Sequence, residues 1–285
     1  MGSDQSMAFK IKKILNNNVL IAQGEQEDEV VLIGKGIGFK RQVNALINQS
    51  EVEKLFILRD QSEQEQFKKL LPYIKEDLLK VIISSIELIR ERTEGFLNEH
   101  IHVALTDHLV FAVNRLMRGM AITNPFILET KALYPYEYEI AKEVVKLFNE
   151  RAHIYLPEGE IGFIALHIHS AMVNRNVNEI NAHSRMIGKL IQIIEQQFDI
   201  EIDRESIDYM RLVRHLRYTI ERVTRGEKVD EPEKIASLLK SEYPLCYNLS
   251  WKLIKIMQQT LKKPVYDAEA VYLTMHLQRI QTKMK

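Results

Sequence analysis

The stretch Phe9–Ala22, FKIKKILNNNVLIA, decides how the amino-terminal part of the chain folds. From Phe9 to Leu15 apolar and basic residues alternate at period two, as in a half-buried strand. Asn16-Asn17-Asn18 reads as a turn, because asparagine tolerates positive φ and bonds its own backbone. Val19–Ala22 resumes an apolar strand. Further on, a polar, acidic turn over Gln23–Glu29 precedes a third strand at Val30–Ile33. Gly34-Lys35-Gly36-Ile37-Gly38-Phe39 is a glycine-rich turn, and Lys54–Leu58 (KLFIL) fits a fourth strand. No helical pattern separates these strands, so they predict a small antiparallel sheet. A unit of about 55 residues buries a limited fraction of its surface. The sheet is therefore expected to complete its core against a second copy, as a homodimer. Met1–Met7 carries no pattern and reads either as a native tail or as an added segment ahead of a natural start at Met7.

From about Ser62 the apolar spacing lengthens to that of a helix, through Phe67, Leu70 and Leu71, then Leu78, Leu79, Ile82, Ile83, Ile86 and Ile89. Helical segments are expected at 98–118, 135–152, 158–174, 183–198, 205–225, 232–241, 245–261 and 267–282. Only 11 Gly and 7 Pro in 285 residues suit long helices. Asn174–Asn181 (NRNVNEIN) is the candidate linker between two helical halves. The composition, 46% hydrophobic and 27% charged, is that of a globular chain rather than a disordered one. Lys and Arg number 39 against 39 Asp and Glu, which argues against bulk electrostatic binding of nucleic acid but leaves room for a local basic surface. A single cysteine, Cys246, excludes an intrachain disulfide and a cysteine-based zinc site, and fits a reducing cytoplasm. No apolar run reaches the ~20 residues of a membrane helix, so no stable membrane insertion is expected.

The helical part is duplicated. At a shift of 109 positions Tyr134-Pro135 meets Tyr243-Pro244, Tyr138 meets Tyr247, Lys146 meets Lys255, Glu160 meets Glu269 and His167 meets His276. The apolar pairs Ile140/Leu249, Val144/Leu253 and Ile164/Leu273 follow the same shift. At a shift of 107, His108-Leu109 meets His215-Leu216, Arg115 meets Arg222 and Arg118-Gly119 meets Arg225-Gly226. Two copies of one helical domain account for both shifts.

Four of nine histidines thus occupy matched places: His108 with His215 and His167 with His276. Metal binding explains them poorly. His167 and His169, like His100 and His102, are two apart on a helix and point apart, unlike the i,i+4 pair of a zinc site. No nucleophile-elbow serine supports a hydrolytic triad. Asp107 beside His108 becomes Arg214 in the second copy, which argues against a fixed acid–base dyad there. A neutral imidazole can instead accept a phosphoryl group reversibly. Arg115 and Arg222, two helical turns beyond His108 and His215, could read the added charge. The glycine-rich turn lacks phosphate-loop spacing. Its backbone could approach RNA closely, with Lys13, Lys35 and Lys40 on phosphates and Phe39 stacked on a base.

Taken together, Lys12–Leu20 and Val31–Phe39 resemble the RNA-binding domain of the BglG/SacY/LicT family of bacterial transcriptional antiterminators. The duplication resembles that family's two phosphotransferase-system (PTS) regulation domains. Thr106-Asp107-His108, Gly162–His167, Arg214-His215-Leu216 and Tyr272–His276 resemble its four regulatory-histidine motifs. Leu97–His102 and Glu242–Tyr247 resemble the glucose-responsive members. The resemblance implies a multidomain chain: a small N-terminal antiparallel β-sheet RNA-binding domain (8–60), followed by two homologous all-α helical-bundle regulation domains (68–174 and 180–285).

It further implies a regulator rather than an enzyme, without a cofactor. As a homodimer it would bind an RNA antiterminator hairpin in a nascent leader transcript and block the competing terminator. The resemblance places Lys13, Asn18, Gly34, Lys35, Gly36 and Phe39 on the RNA-contacting surface. Lys35 stands where relatives often carry Arg and lacks the planar fork. It makes His108, His167, His215 and His276 phospho-acceptors. The sugar-specific enzyme II permease, here for glucose, would act on the first domain as an off switch, and the phosphocarrier HPr on the second. A DNA-binding activator with the same regulation domains is the alternative, but a helix-turn-helix would need helices where the strand pattern lies.

Overall fold

The computed structural model describes residues 8–24, 29–57, 61–71, 74–94, 97–120, 122–228 and 233–283. The expected tail at 1–7, most of the acidic turn (25–28) and the end of the expected fourth strand, Leu58, lie outside them. Five strands form one antiparallel sheet in the order β4-β1-β2-β3-β5: β1 (Ala8–Asn16), β2 (Val19–Gln23), β3 (Glu29–Ile33), β4 (Leu46–Asn48) and β5 (Lys54–Ile57). The edge strand β4 is not anticipated by the sequence pattern. Three residues are too few to show alternation, and the strand exists because Ala8, Phe9 and Lys10 pair with Asn48, Ile47 and Leu46.

Between β1 and β2 the register slips: Ile11 faces Ala22, but Lys13 faces Ile21. Lys12 is the extra residue of a bulge, and both Lys12 and Lys13 are exposed there. One face of the sheet packs Phe9, Ile11, Leu20, Ala22, Val30, Leu32, Ile37 and Ile47 together. On the other face Val19, Ile21, Val31 and Ile33 are buried as well. The two central strands therefore bury both faces within a single chain. The sequence argument for a dimer, an unfinished sheet core, does not describe β2 and β3; the exposed large apolar residues described on strands are Leu46 on β4 and Leu55 on β5, at the edges, and others, Phe39 and Val43, lie in the connection between β3 and β4.

Eleven helices are described: α1 (Gln61–Leu70), α2 (Glu76–Arg92), α3 (His100–Met117), α4 (Ile127–Leu133), α5 (Pro135–Ala152), α6 (Gly159–Val173), α7 (Val177–Phe198), α8 (Ile207–Arg225), α9 (Glu233–Glu242), α10 (Pro244–Leu261) and α11 (Ala268–Lys283). The series α2–α6 repeats as α7–α11, as the duplication predicts. Matched prolines, Pro135 and Pro244, start α5 and α10, where a missing N–H costs no helical bond. Matched glycines, Gly119 and Gly226, follow α3 and α8 with φ of 74° and 71°. The expected linker at Asn174–Asn181 is mostly helix. Asn174 ends α6 in the left-handed region, the Asn176 side chain caps α7 by accepting from the Asn178 N–H, and α7 begins at Val177. Its polar residues cover an exposed first turn rather than a free loop.

The described residues divide into two compact units. One comprises those up to Ile122 with Ile140–Glu160 and His167–Asn174; the other comprises Thr123–Glu139, Ile161–Leu166 and the residues from Arg175 onward. In the second unit, Ile187, Leu190, Ile191, Ile194, Tyr209, Leu212, Leu216, Leu253 and Leu277 belong to one core. The short helix α4, not expected from the sequence, packs there against α7 and α8, whereas its repeat counterpart α9 packs on α10 and α11. Glu129 on α4 is buried, accepts the Tyr209 hydroxyl at 3.4 Å, and is pushed above the ordinary carboxylate range by that burial.

Candidate functional site: two histidine clusters and a glycine turn

In the first cluster α3 contributes His108 and Arg115, seven residues apart and so on one face, and α6 contributes Glu160 and His167. The His108 and His167 rings lie 4.9 Å apart between centroids, tilted by 42°. His108 Nε2 donates to Glu160 Oε2 at 2.9 Å, and the Arg115 guanidinium donates to Glu160 Oε1. Glu160 is completely buried and the His108 side chain is 15% exposed. Burial pushes the Glu160 carboxyl up, but His108 and Arg115 together hold it below the ordinary range. An ionised carboxylate can only accept, so Nε2 of His108 carries a proton toward it. Arg115 also donates through Nε to the Met120 carbonyl and lies against the Phe111 ring. His167 is held neutral, well below its ordinary pKa, first by burial and then by His108 and His100. Its Nδ1 is buried with no hydrogen-bond partner among the described residues.

The second cluster repeats the first. His215 and Arg222 come from α8, Glu269 and His276 from α11, and the His215 and His276 rings are 4.8 Å apart. Arg222 holds Glu269 through Nε to Oε1 and Nη2 to Oε2, each at 2.9 Å. The detail differs from the first cluster. Thr219 Oγ1 donates to Glu269 Oε2 at 2.7 Å, and His215 Nε2 stands 3.6 Å from that oxygen. Burial, then His276 and Arg222, push His215 down to about 3. His276 is lowered by burial, then by Arg279 and Arg211, against an opposing Asp208. A cavity of about 380 Å³ opens beside it, lined by Leu239, Tyr243, Met275, Gln278 and Arg279.

Each cluster thus joins four of the matched polar columns: two histidines, an arginine and a glutamate. Glu160 and Glu269 were visible as an identical column, but nothing in the sequence tied them to His108 and His215. Arg115 and Arg222, which the sequence offered as readers of added phosphate, bind those glutamates.

The sheet carries a third feature. The turn Gly34–Phe39 lies against the β1–β2 turn: Gly34 N–H donates to Asn18 O at 3.0 Å, and Gly38 N–H to Asn17 O at 2.8 Å. The Asn18 side-chain oxygen accepts the Gly36 N–H, and Asn18 itself is buried. Asn18 therefore holds the shape of the turn. A Cβ on Gly34 would sit 2.5 Å from Glu51 O, and one on Gly38 2.3 Å from Asn16 O, so neither tolerates a side chain; Gly36 has φ +68°. Lys13, Lys35 and Phe39 are exposed, Phe39 at 57%, with the Lys40 ammonium 5.3 Å from its ring centroid. Among the described residues no helix is long and apolar enough to cross a membrane, and no group of His, Cys, Asp and Glu could hold a metal ion.

Known proteins resemble the chain along nearly its whole length. The CAT RNA binding domain family matches residues 9–65, and the PRD domain family matches twice, at 83–171 and 188–280. The chain is 56% identical over 277 residues to the PtsGHI operon antiterminator of Bacillus subtilis (strain 168), covering 97% of this chain and 99% of that protein. It is 40% identical over 271 residues to the GlcA/glcB genes antiterminator of Staphylococcus carnosus (strain TM300), covering 94% of each. A crystal structure of GlcT CAT-PRDI, 56% identical, superposes with a TM-score of 0.53 and covers 59% of this chain and 99% of that one. One CAT RNA binding domain followed by two PRD domains, each with its histidine cluster, places the chain in the BglG/SacY/LicT family of transcriptional antiterminators.

Proposed function

We propose that the protein is a sugar-responsive transcriptional antiterminator, a regulator and not an enzyme, acting in the cytoplasm on nascent RNA. Residues 8–60, as a homodimer, bind an antiterminator hairpin in a leader transcript, with Lys13, Lys35, Phe39 and the Gly34–Gly36 backbone at the RNA and Asn18 shaping the turn behind them. Domains 68–174 and 180–285 read the state of the phosphotransferase system. The glucose permease phosphorylates His108 and His167, and HPr phosphorylates His215 and His276. The observation that carries this reading is the pairing of histidine rings, 4.9 and 4.8 Å apart, at equivalent places in both repeats.

Phosphate adds roughly −1.5 to −2 charges per site. Across a two-fold axis equivalent sites face each other, so phosphorylated first domains repel and the RNA sheets lose their alignment. Glucose uptake drains phosphate from the permease and restores antitermination. The test is retention of a leader hairpin by the full chain in a gel shift, with and without a phosphorylated permease domain, together with a leader-reporter assay. His108→Asp with His167→Asp should abolish read-through; a double variant as active as wild type, alongside a His108→Ala variant that still shuts off without glucose, would refute the switch. At the RNA, Phe39→Ala should weaken binding by on the order of 1–3 kcal/mol, with unchanged circular dichroism. Unaltered affinity would remove Phe39 from the interface.

A further inference from the structure

The two clusters differ at one position that touches the shared glutamate. At the shift that aligns His108 with His215, Ala112 aligns with Thr219. Both residues are buried. Without a hydroxyl at 112, Glu160 Oε2 accepts from His108 at 2.9 Å. In the second copy the Thr219 hydroxyl occupies Glu269 Oε2 at 2.7 Å, and Arg222 takes the same oxygen at 2.9 Å. His215 Nε2 is left 3.6 Å from it and instead meets Thr219 Oγ1 at 3.5 Å, where the hydroxyl, its own proton given to the glutamate, accepts.

We infer that Thr219 is a positioning residue that detaches His215 from its carboxylate, so that the first histidine of each pair accepts a phosphoryl group at a different intrinsic rate, His108 fast and His215 slow. The inference rests on the reading of both residues as phosphoryl acceptors.

The chemistry gives the direction. When a neutral imidazole attacks phosphorus, its lone pair forms the N–P bond while the bond from phosphorus to the leaving group breaks, and the leaving group departs with that electron pair. The ring keeps its other N–H and gains a positive charge. A carboxylate hydrogen-bonded to that N–H stabilises the charge as it develops and fixes the tautomer whose opposite nitrogen attacks. Glu160 is placed to do this for His108. Glu269 is instead engaged by Thr219 and Arg222, and the Arg222 charge acts against a positive charge on His215.

The experiment uses the full chain and potassium phosphoramidate, a small donor that needs no protein partner. Its P–N bond breaks as the N–P bond to histidine forms, and ammonia leaves. Mass spectrometry of each histidine-bearing peptide over time gives the separate rates. His108 should be modified faster than His215. Thr219→Val, which keeps the volume and removes the hydroxyl, should raise the His215 rate about tenfold. Thr219→Ser, which keeps the hydroxyl, should restore the slow rate.

An unchanged His215 rate in a folded Thr219→Val protein, or equal rates for the Val and Ser variants, overturns the inference. Should Thr219→Val not fold, Ala112→Ser decides: it should slow His108, and an unaltered rate overturns the inference. Failure of either histidine to react at all overturns this inference together with the acceptor reading, whereas reaction at both sites without dependence on residue 219 or 112 overturns this inference alone.

Discussion

The two histidine clusters share four matched residues of three types and nearly the same ring separation, yet their electrostatics differ. In the first, a fully buried glutamate is shared between a histidine and an arginine that is itself buried. In the second, the glutamate is bound by a half-buried arginine and a threonine, and the histidine stands back. The second cluster also has Arg211 and Arg279 near His276, where the aligned residues of the first copy are Ala104 and Ser170. His276 therefore sits amid positive charge, whereas the first copy has no arginine at the aligned places. Duplication preserved the histidines while the residues around them diverged, so the two copies offer the same side chains different electrostatic surroundings.

The largest expected effect tests the first glutamate against the second. Glu160→Ala leaves the buried Arg115 without its carboxylate and should cost about 3–5 kcal/mol. Glu269→Ala should cost less, because Arg222 is 30% exposed and can turn to water. Urea unfolding of the two variants measures the difference, and equal losses would erase the proposed distinction.

A second test is acidity. His215 has a folded pKa of about 3 against an ordinary 6.5, so between those values the unfolded chain binds more protons. Its contribution to stability is intact above pH 6.5 and is lost as pH falls toward 3, at up to about 1.4 kcal/mol per pH unit. His167 and His276, also lowered, add to the loss below 6.5, whereas Glu160, lowered from 4.5, adds its loss only as pH falls below that value. Midpoints of thermal unfolding measured across this range should therefore fall from pH 6.5 downward, and His215→Gln should flatten the slope. A variant with the wild-type slope would show that His215 is not held neutral.

The smallest effect is a control in which the copies should agree. Gly119 and Gly226 both have positive φ and open space where a Cβ would go, so Gly→Ala at either should cost about 1 kcal/mol from backbone strain alone. Unequal losses would mean that the two helix ends are not equivalent.

Much of this was legible in the sequence. Alternation in Phe9–Leu15, the glycine-rich turn and the matched histidines give the sheet, its turn and both clusters, because side-chain periodicity and duplication are properties of the chain itself. The misses have a common cause. The three residues of β4 carry no period of their own and are ordered by pairing with β1. The seven residues of α4 are ordered by packing on α7 and α8, which lie far along the chain. The polar run after Asn174 reads as a loop, yet most of it is the capped first turns of α7.

By itself, then, the sequence determined which residues recur, among them four histidines, the arginines Arg115 and Arg222 and two glutamates, and set Phe39 beside lysines. Only the tertiary structure decided who bonds to whom. Asn18 turned inward to hold Gly36, the arginines went to the glutamates, and Thr219 came between His215 and Glu269. The reason is one of scale: a hydrogen bond is made or lost within less than 1 Å. That distance is set by how helices more than forty residues apart in sequence pack against each other, as the separations of 52 for His108–Glu160 and 50 for Thr219–Glu269 show.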